Sequence, residues 1–273
     1  MARPQVSALF IYPVKSTRAV ALDRVEVTRL GPRDDRRWML VDPDGRAVTQ
    51  REAPRLALVA ARPEGQGLRV TMPGETPLWV PVPPADAPRI PVRVWDDRFL
   101  AALADEAVHR AFSSFLGRSV RLVHQPDEVV RPVDPTYGRA GDRVSLADGF
   151  PLLLTTGASL DELNRRLEAP VPMVRFRPNL VLEGLAPFEE DRWRRIRVGA
   201  MTFRVVKPCA RCVVTTVDPA TGTVGHEPLR TLATFRRRGS KVFFGQNLIP
   251  EAPGVLYVGD PVEVLDEVGV MRS

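Results

Sequence analysis

The chain has 273 residues, of which 44% are hydrophobic and 26% are charged, and its formal net charge at pH 7 is +6. These values are typical of a globular protein with one large or two modest hydrophobic cores. They argue against a membrane protein or a disulfide-rich secreted protein, since no apolar run approaches about 18 residues, the amino-terminal segment lacks the apolar stretch of a secretory signal, and there are only two cysteines. We therefore expect a cytoplasmic protein that makes no membrane contact.

The first part of the chain consists of short apolar runs bounded by Pro, Gly or Asp, which is typical of strands joined by turns. The Asp-Pro-Asp-Gly segment at 42–45 is a hairpin turn signal between two of them. We predict strands within VSALFIY (6–12), VALDRVEVT (20–28), RRWMLVD (36–42), RAVTQ (46–50), LALVAARP (56–63), LRVTM (68–72) and PVRVW (91–95).

Two helices follow in the middle of the chain. ADEAVHRAFSSFLG (104–117) has apolar residues near one face and Gly117 as its stop signal. ASLDELNRRL (158–167) begins with Ser159 as the N-cap and has Glu162 three residues later, which is the pattern of a capping box. The polar, proline-rich segment 125–147 between them is a linker or a functional loop.

Strands return in the last part of the chain, and the whole pattern predicts a mainly β (α+β) fold with a few helices. We place a domain boundary near residue 122, although a sheet shared across it is common in such folds. The predicted strands lie within VRLVHQ (120–125), PNLVLEG (178–184), WRRIRVG (193–199), MTFRVVKP (201–208), CVVTTVD (212–218) and GVLYVGDPVEVL (254–265).

The positive charge comes mainly from arginine, and its distribution does not predict a nucleic-acid interface. The densest basic run, Arg236 to Arg238, has no interleaved aromatic side chains of the kind that stack on bases. A binding module that uses a basic face for nucleic acid would show salt-dependent retention on DNA. We expect no nucleic-acid partner.

Cys209 and Cys212 form a Cys-x-x-Cys pair whose role the residues alone leave open. A structural zinc site needs about four ligands, and the chain has no third cysteine and no closely spaced histidine pair. A thioredoxin-like dithiol needs a helix start, whereas the β-branched run after Cys212 predicts a strand. Two inert core cysteines remain possible. Lys207 and Arg211 favour a thiolate, which would complete the coordination of a metal already chelated by a cofactor.

The stretch CARCVVTTVDPATG (209–222) resembles the signature of the MOSC domain, which molybdenum-cofactor sulfurases and amidoxime-reducing enzymes share. The resemblance is greatest to the amidoxime-reducing branch and covers nearly the whole chain. It implies an N-terminal β-barrel-like domain at 1–122 and a MOSC β-barrel domain at 123–273. Further matching segments are IYPVKS (11–16), DDRRWMLVDPDGRAVTQREAPRLALV (34–59), RVSLADGFPLLLTTGASLDELN (143–164), FRPNLVLEG (176–184), FGQNL (244–248) and VGDPVEVL (258–265).

The resemblance also implies which residues hold the cofactor, Mo-molybdopterin. In the family the second cysteine of this signature is the protein ligand of molybdenum, and it falls on Cys212. The family's aspartate near the metal falls on Asp148, which we name with Cys212 as a candidate catalytic residue. Where the family often has Glu in T-E-A-S, this chain has Gly157. The residues expected to bind the cofactor are Lys15, Ser16, Arg36, Arg177, Asn179 and Cys212.

The activity that the resemblance implies is the reduction of small N-hydroxylated or N-oxide-type substrates by oxygen-atom transfer. The sequence reveals no second redox centre, so a separate electron-transfer protein, a ferredoxin- or flavoprotein-type reductase, would supply the electrons. An alternative keeps the cofactor and makes the chain a carrier or a sulfur-transfer protein. No pyridoxal-phosphate domain that would mobilise sulfur is recognisable, although pyridoxal phosphate binding is associated with the family.

Overall fold

The computed structural model describes residues 3–268, and most of its elements are strands, which confirms the predicted fold class. The helices in this range are α1 (Glu106–Leu116), α2 (Gly157–Asn164) and α3 (Leu229–Phe235). The strands in chain order are β1 (Gln5–Ile11), β2 (Val20–Leu22), β3 (Arg24–Thr28), β4 (Gly31–Pro32), β5 (Trp38–Val41), β6 (Ala60–Pro63), β7 (Gly67–Thr71), β8 (Leu78–Pro81), β9 (Arg89–Val94), β10 (Asp97–Leu103), β11 (Arg121–His124), β12 (Leu152–Thr156), β13 (Leu180–Glu183), β14 (Trp193–Val198), β15 (Met201–Arg211), β16 (Arg237–Arg238), β17 (Lys241–Pro250), β18 (Gly254–Tyr257) and β19 (Val262–Glu267).

A nine-stranded sheet joins the two halves of the chain. Its order is β19-β14-β15-β17-β12-β13-β1-β2, and β16 pairs with β17 at the side of this path. The amino-terminal β1 runs antiparallel to β13, with Val6 opposite Leu182, while β12 and β13 are parallel. Alternate residues of these strands face one core, which includes Leu9, Leu154 and Phe203. Because β1 belongs to this sheet, the division near residue 122 stays a prediction.

Three smaller sheets complete the described part of the chain: β5-β11-β10-β9, β18-β3-β4 and β6-β7-β8. A second core lies under α1, whose Phe112 and Phe115 pack with Leu56 and Leu122. The predicted helix is confirmed, and it ends at Gly117, which has φ +63° as a left-handed cap requires. None of the helices in residues 3–268 is long and apolar enough to cross a membrane.

The strand predicted at 212–218 is wrong, because Val213–Thr216 forms a 3-10 turn that begins after Cys212. The hydroxyl of Thr215 donates to the carbonyl oxygen of Cys212 at 2.9 Å, and the hydroxyl of Thr216 donates to that of Val213 at 2.8 Å. Threonine hydroxyls that bond to nearby carbonyls compete with ladder formation. The β-branched side chains therefore stabilise a local turn here.

Two other strand predictions are wrong in part. RAVTQ (46–50) makes only isolated bridges, from Arg46 to Arg93 and from Ala47 to Val41. The predicted strand at 56–63 starts late, since Pro54–Leu58 is a 3-10 turn and β6 begins at Ala60. Proline has no amide hydrogen and its φ is preset for a helical first turn, so this segment turns before it extends.

The N-cap predicted for the second helix is also wrong. α2 begins after Thr156, whose hydroxyl accepts a hydrogen bond from the Ser159 amide at 3.2 Å. Ser159 instead donates its hydroxyl to the buried carboxylate of Glu190, at 2.9 Å from Oε1. Glu162 forms ion pairs with Arg165 and Arg166 on the helix surface. The acidic partner at the start of the helix thus comes from a distant segment.

The proline-rich segment 125–147 is ordered and packs onto both halves of the chain. Arg131, of which 2% is exposed, donates to the carbonyl oxygens of Ser145 and Ala147 and pairs with Asp97 at 2.7 Å. Val133, Val144 and Ala147 pack against Ile249 of β17. The segment therefore acts as a structured support for the residues that follow it.

Candidate functional site

One cleft collects all the residues for which the sequence predicts a site role. They come from the loop after β1, the segment before β5, the segment before β12, the loop before β13 and the end of β15. The predicted residues that line the cleft are Lys15, Ser16, Arg36, Asp148, Arg177, Asn179 and Cys212. The fold thus brings together side chains that are widely separated in the sequence.

At one side of the cleft, Tyr12 lies between two guanidinium groups. The ring is fully buried, with Arg36 at 4.3 Å and Arg177 at 4.1 Å from its centroid. Arg36 also donates to the buried carboxylate of Asp35 at 2.6 Å. Burial raises the pKa of Tyr12 to about 12, so its hydroxyl stays protonated and donates to the Pro178 carbonyl oxygen at 3.2 Å.

The two arginines are held in costly conformations. Arg36 has φ +47° and Arg177 has φ +56°, in the left-handed region that side-chain-bearing residues seldom adopt. Burial, and then the neighbouring Arg36, lowers the pKa of Arg177 to about 10, which leaves it charged at neutral pH. Its Nη1 donates to the Thr17 carbonyl oxygen at 2.6 Å, whereas its buried Nη2 has no hydrogen-bond partner among residues 3–268.

Asn179 supports this pair of arginines rather than presenting a free amide. Its side chain is 2% exposed. Its Oδ1 accepts from Arg36 at 3.1 Å and from the Leu153 amide at 3.2 Å, and its Nδ2 donates to the Phe10 carbonyl oxygen at 3.1 Å. The amide therefore ties β1 and β12 to the guanidinium of Arg36.

Lys15 and Asp148 form an ion pair in the lining of the cleft, where the Lys15 side chain is 8% exposed and the Asp148 side chain is 58% exposed. Lys15 Nζ donates to a carboxylate oxygen of Asp148 and, at 2.9 Å, to the Leu146 carbonyl oxygen. Burial lowers the pKa of Lys15, although Asp148 offsets part of this effect. Desolvation by the neighbouring groups of the cleft would raise the pKa of Asp148, but Lys15 and then Arg51 outweigh it and hold that pKa well below its usual range. Asp148 is consequently an ionised hydrogen-bond acceptor at neutral pH.

Ser16 fixes the backbone beside this pair. It has φ +70°, and its carbonyl oxygen accepts a hydrogen bond from Gln50 Nε2 at 2.7 Å. The residue is 7% exposed and lines the cleft. Its loop is thus held in place from the segment that follows β5.

Arg51 also lines the cleft, although the sequence did not predict it as a site residue. Its Nη2 donates to the sulfur of Cys212 at 3.3 Å and lies 3.8 Å from a carboxylate oxygen of Asp148. Arg51 belongs to the TQRE stretch inside a hairpin segment that the family resemblance already covered. The signal that the sequence offered was this arginine itself, a cation inside a segment that resembles the family.

The two cysteines have different surroundings. Cys209 accepts from Arg211 Nη1 at 2.8 Å, and Arg211 Nη2 donates to the Phe176 carbonyl oxygen at 2.7 Å. Cys212 faces Arg51 instead, and neither thiol forms a disulfide. The Cys-x-x-Cys pair is thus asymmetric, with each sulfur next to its own guanidinium.

The donor set fits an anionic cofactor that brings its own metal chelate. Among residues 3–268 no group of three or more His, Cys, Asp or Glu side chains could hold a metal ion without help. Among the described residues that line the cleft there is one carboxylate, that of Asp148, against five cationic side chains, so positive charge dominates. The unpartnered Nη2 of Arg177 offers a buried donor to a phosphate oxygen. The cations that line the cleft are Lys15, Arg36, Arg51, Arg177 and Arg211.

Comparison with known proteins identifies two family domains and close relatives. Residues 3–119 match the MOSC N-terminal beta barrel domain, and residues 141–263 match the MOSC domain. The chain is 35% identical to mitochondrial amidoxime-reducing component 1 of Mus musculus, over 96% of this chain and 82% of the relative. The Homo sapiens protein of the same name is 35% identical, over 96% of this chain and 83% of the relative. Mitochondrial amidoxime reducing component 2 of Rattus norvegicus is 35% identical, over 94% and 82%.

These relatives contradict the expected cytoplasmic localisation, because each of them is named as a mitochondrial protein. The expectation rested on the scarcity of cysteine and on the absence of a recognisable secretory signal. Both features are shared by proteins of more than one reducing compartment, so they could not distinguish between such compartments.

Proposed function

Because the chain belongs to the MOSC-domain family of amidoxime-reducing components, we propose that it is a molybdenum cofactor-dependent reductase of small N-hydroxylated or N-oxide-type compounds. The observation that carries the proposal is the cleft, which the Cys212 thiol lines together with five cationic side chains. When bound, the cofactor would supply a redox-active metal centre for oxygen-atom transfer. Electrons would come from a separate electron-transfer protein of the ferredoxin or flavoprotein type.

Cys212 is the proposed protein ligand of the metal. A thiolate is a suitable ligand for a soft transition metal, and the guanidinium of Arg51 lies 3.3 Å from this sulfur. Cys209 is the residue that we propose does not bind the metal, since Arg211 ties its sulfur to the loop at Phe176.

Lys15, Ser16, Arg36 and Arg177 are proposed to hold the cofactor, with Arg36 and Arg177 as the donors to its phosphate. Charge-assisted hydrogen bonds from such donors contribute roughly 1.5–3 kcal/mol each. Asn179 is proposed to act on the cofactor through Arg36, because its own donors and acceptors are engaged by Arg36 and the backbone.

Asp148 is the residue proposed to orient the substrate. Lys15 and Arg51 keep it ionised, so it would accept a hydrogen bond from the N–H or hydroxyl group of an N-hydroxylated compound. Cleaving the N–O bond to give the reduced product and water consumes protons as well as electrons. Lys15 Nζ, which is hydrogen-bonded to Asp148, is the adjacent group that holds a proton.

The test is to purify the chain from a host that makes the cofactor and to measure molybdenum per chain together with benzamidoxime reduction by an artificial electron donor. Cys212→Ala should lose both the metal and the turnover, whereas the matched variant Cys209→Ala should keep both. Molybdenum near zero in the wild type, with no pterin released on denaturation, would refute the proposal. Molybdenum without benzamidoxime turnover would favour the alternative of a carrier or sulfur-transfer protein.

A further inference from the structure

A second cavity lies next to the cleft. It has a volume of about 370 Å³, within the range of roughly 300–1,000 Å³ that is usual for small-molecule sites. Lys15, Thr49, Arg51 and Asp148 line both cavities, so the two are adjacent and share these side chains. A substrate that reaches Asp148 can therefore occupy the second cavity with the rest of its structure.

Trp95 is the large aromatic side chain of this second cavity. It is 57% exposed, although exposed tryptophan gives up favourable burial. Trp95 and Asp96 form the two-residue turn between β9 and β10, where Val94 pairs with Asp97. Trp95 has φ +54°, a conformation that costs of order 1–3 kcal/mol and that turns of this kind normally assign to Gly or Asn. The chain thus keeps a bulky, exposed ring where a small residue would be less strained.

Arg51 connects this indole ring to the candidate metal ligand. Its guanidinium carbon lies 4.9 Å from the Trp95 ring centroid, and its Nη2 lies 3.3 Å from the sulfur of Cys212. One side chain therefore separates the ring from the sulfur. Arg51 also lies 3.8 Å from the carboxylate of Asp148, so a planar group that stacks on the exposed indole is one side chain away from both candidate catalytic residues.

We propose that Trp95 is a specificity-determining residue that favours N-hydroxylated substrates with an aromatic ring, which stacks on its indole. The inference rests on the proposed function and names the substrate class of the same site. Stacked aromatic pairs add to affinity beyond the area that they bury. Aliphatic substrates such as acetamidoxime reach Asp148 and Cys212 without this contribution.

The kinetic test compares benzamidoxime with acetamidoxime in the cofactor-loaded enzyme. Trp95→Ala should raise the KM for benzamidoxime about tenfold, leave kcat within about twofold and leave the KM for acetamidoxime unchanged. Trp95→Phe should restore most of the lost affinity because it keeps a ring. Trp79→Ala is the matched control, since Trp79 is 50% exposed on β8 and lies outside both cavities.

A binding measurement without an electron donor gives a readout that does not depend on turnover. Trp38 and Trp193 are buried and Trp79 lies outside both cavities, so benzamidoxime should quench mainly the fluorescence of Trp95. The quenching should disappear in Trp95→Phe and persist in Trp79→Phe. Quenching that persists in Trp95→Phe would overturn the proposal.

The outcomes separate this inference from the proposed function. A wild type that reduces neither substrate contradicts the proposed function, while the fluorescence titration still tests stacking on Trp95. A Trp95→Ala variant with the wild-type KM for benzamidoxime overturns the inference alone. An equal rise in KM for both substrates overturns it as well, because it would mark Trp95 as a structural residue.

Discussion

Arg36 and Arg177 show how much unfavourable energy single residues of this cleft retain. Both have positive φ, both lie on the buried ring of Tyr12, and each lies close to the other's like charge. The buried carboxyl of Asp35 accepts hydrogen bonds from Arg36 and from the Tyr12 amide, and so offsets part of the charge of Arg36. Burial raises the pKa of this carboxyl. An anion bound in the cleft would reduce the remaining repulsion, which is the physical reason to expect a phosphate there.

Glu190 provides a residue-scale prediction about pH. Burial raises its pKa to about 7, above its ordinary value of 4.5, despite hydrogen bonds from Ser159 and Thr156. Between pH 4.5 and about pH 7, Glu190 therefore holds a proton in the native state that it has lost in the unfolded state. The stability from this group is complete below pH 4.5 and is lost as the pH rises through 7.

Glu190→Gln should thus be more stable than the wild type at pH 8, by about 1–3 kcal/mol, and should lose this advantage at pH 5. Urea unfolding at both pH values measures the difference. Glu189→Gln on the same turn is the control, because Glu189 accepts an exposed hydrogen bond from the Ala186 amide. The same stability gap at both pH values would show that ionisation of Glu190 is not its cause.

At the scale of elements, a bulge in β17 lies opposite Cys209 of β15. Pro208 of β15 pairs with Gln246 and Ala210 pairs with Phe243, so two residues of β17 lie opposite Cys209 alone. One of these is Gly245, with φ +81°. A bulge of this kind bends its strand and redirects nearby side chains. The bulge lies three residues before Cys212 in the partner strand's register, so it borders the segment that leads to this cysteine.

Gly245→Ala should destabilise the protein by about 2–3 kcal/mol, because the new Cβ would combine an unfavourable φ with a clash. That Cβ would lie 2.6 Å from the carbonyl oxygen of Leu154. Urea unfolding measures the change, and molybdenum per chain should fall with it. Gly225→Ala is the control, since its Cβ would meet nothing closer than 3.9 Å. Equal stability of the two variants would refute the importance of the bulge.

At the scale of the whole molecule, the cleft depends on contacts between segments that are far apart in the chain. β1 joins the sheet of the second half, and β5 pairs with β11 across residue 122. Arg131 adds a buried connection from β10 to the carbonyl groups just before Asp148. The positions of Asp148 and Lys15 therefore depend on both halves.

Arg131→Met should cost about 2–4 kcal/mol of stability, because it leaves the buried carbonyl oxygens of Ser145 and Ala147 without their donor. It should also lower benzamidoxime turnover by displacing Asp148. Arg89→Met is the control: Arg89 pairs with Glu128 on the exposed surface, where such pairs contribute at most about 1 kcal/mol. Thermal unfolding and turnover of the two variants check this, and equal losses would contradict it.

The seven predicted site residues followed from the family resemblance, whereas the chain alone predicted the mainly β fold and α1 with its glycine stop. These features depend on short-range pattern, turn chemistry and motif spacing, which are visible in the chain. The tertiary structure alone decided that Arg51 lies against Cys212, 161 residues away, and that Trp95 borders the same space. In the structure a 3-10 turn follows Cys212 where a strand was predicted, and Glu190 accepts a hydrogen bond from Ser159 at the start of α2. Such contacts arise from packing between distant segments, which local propensity does not encode.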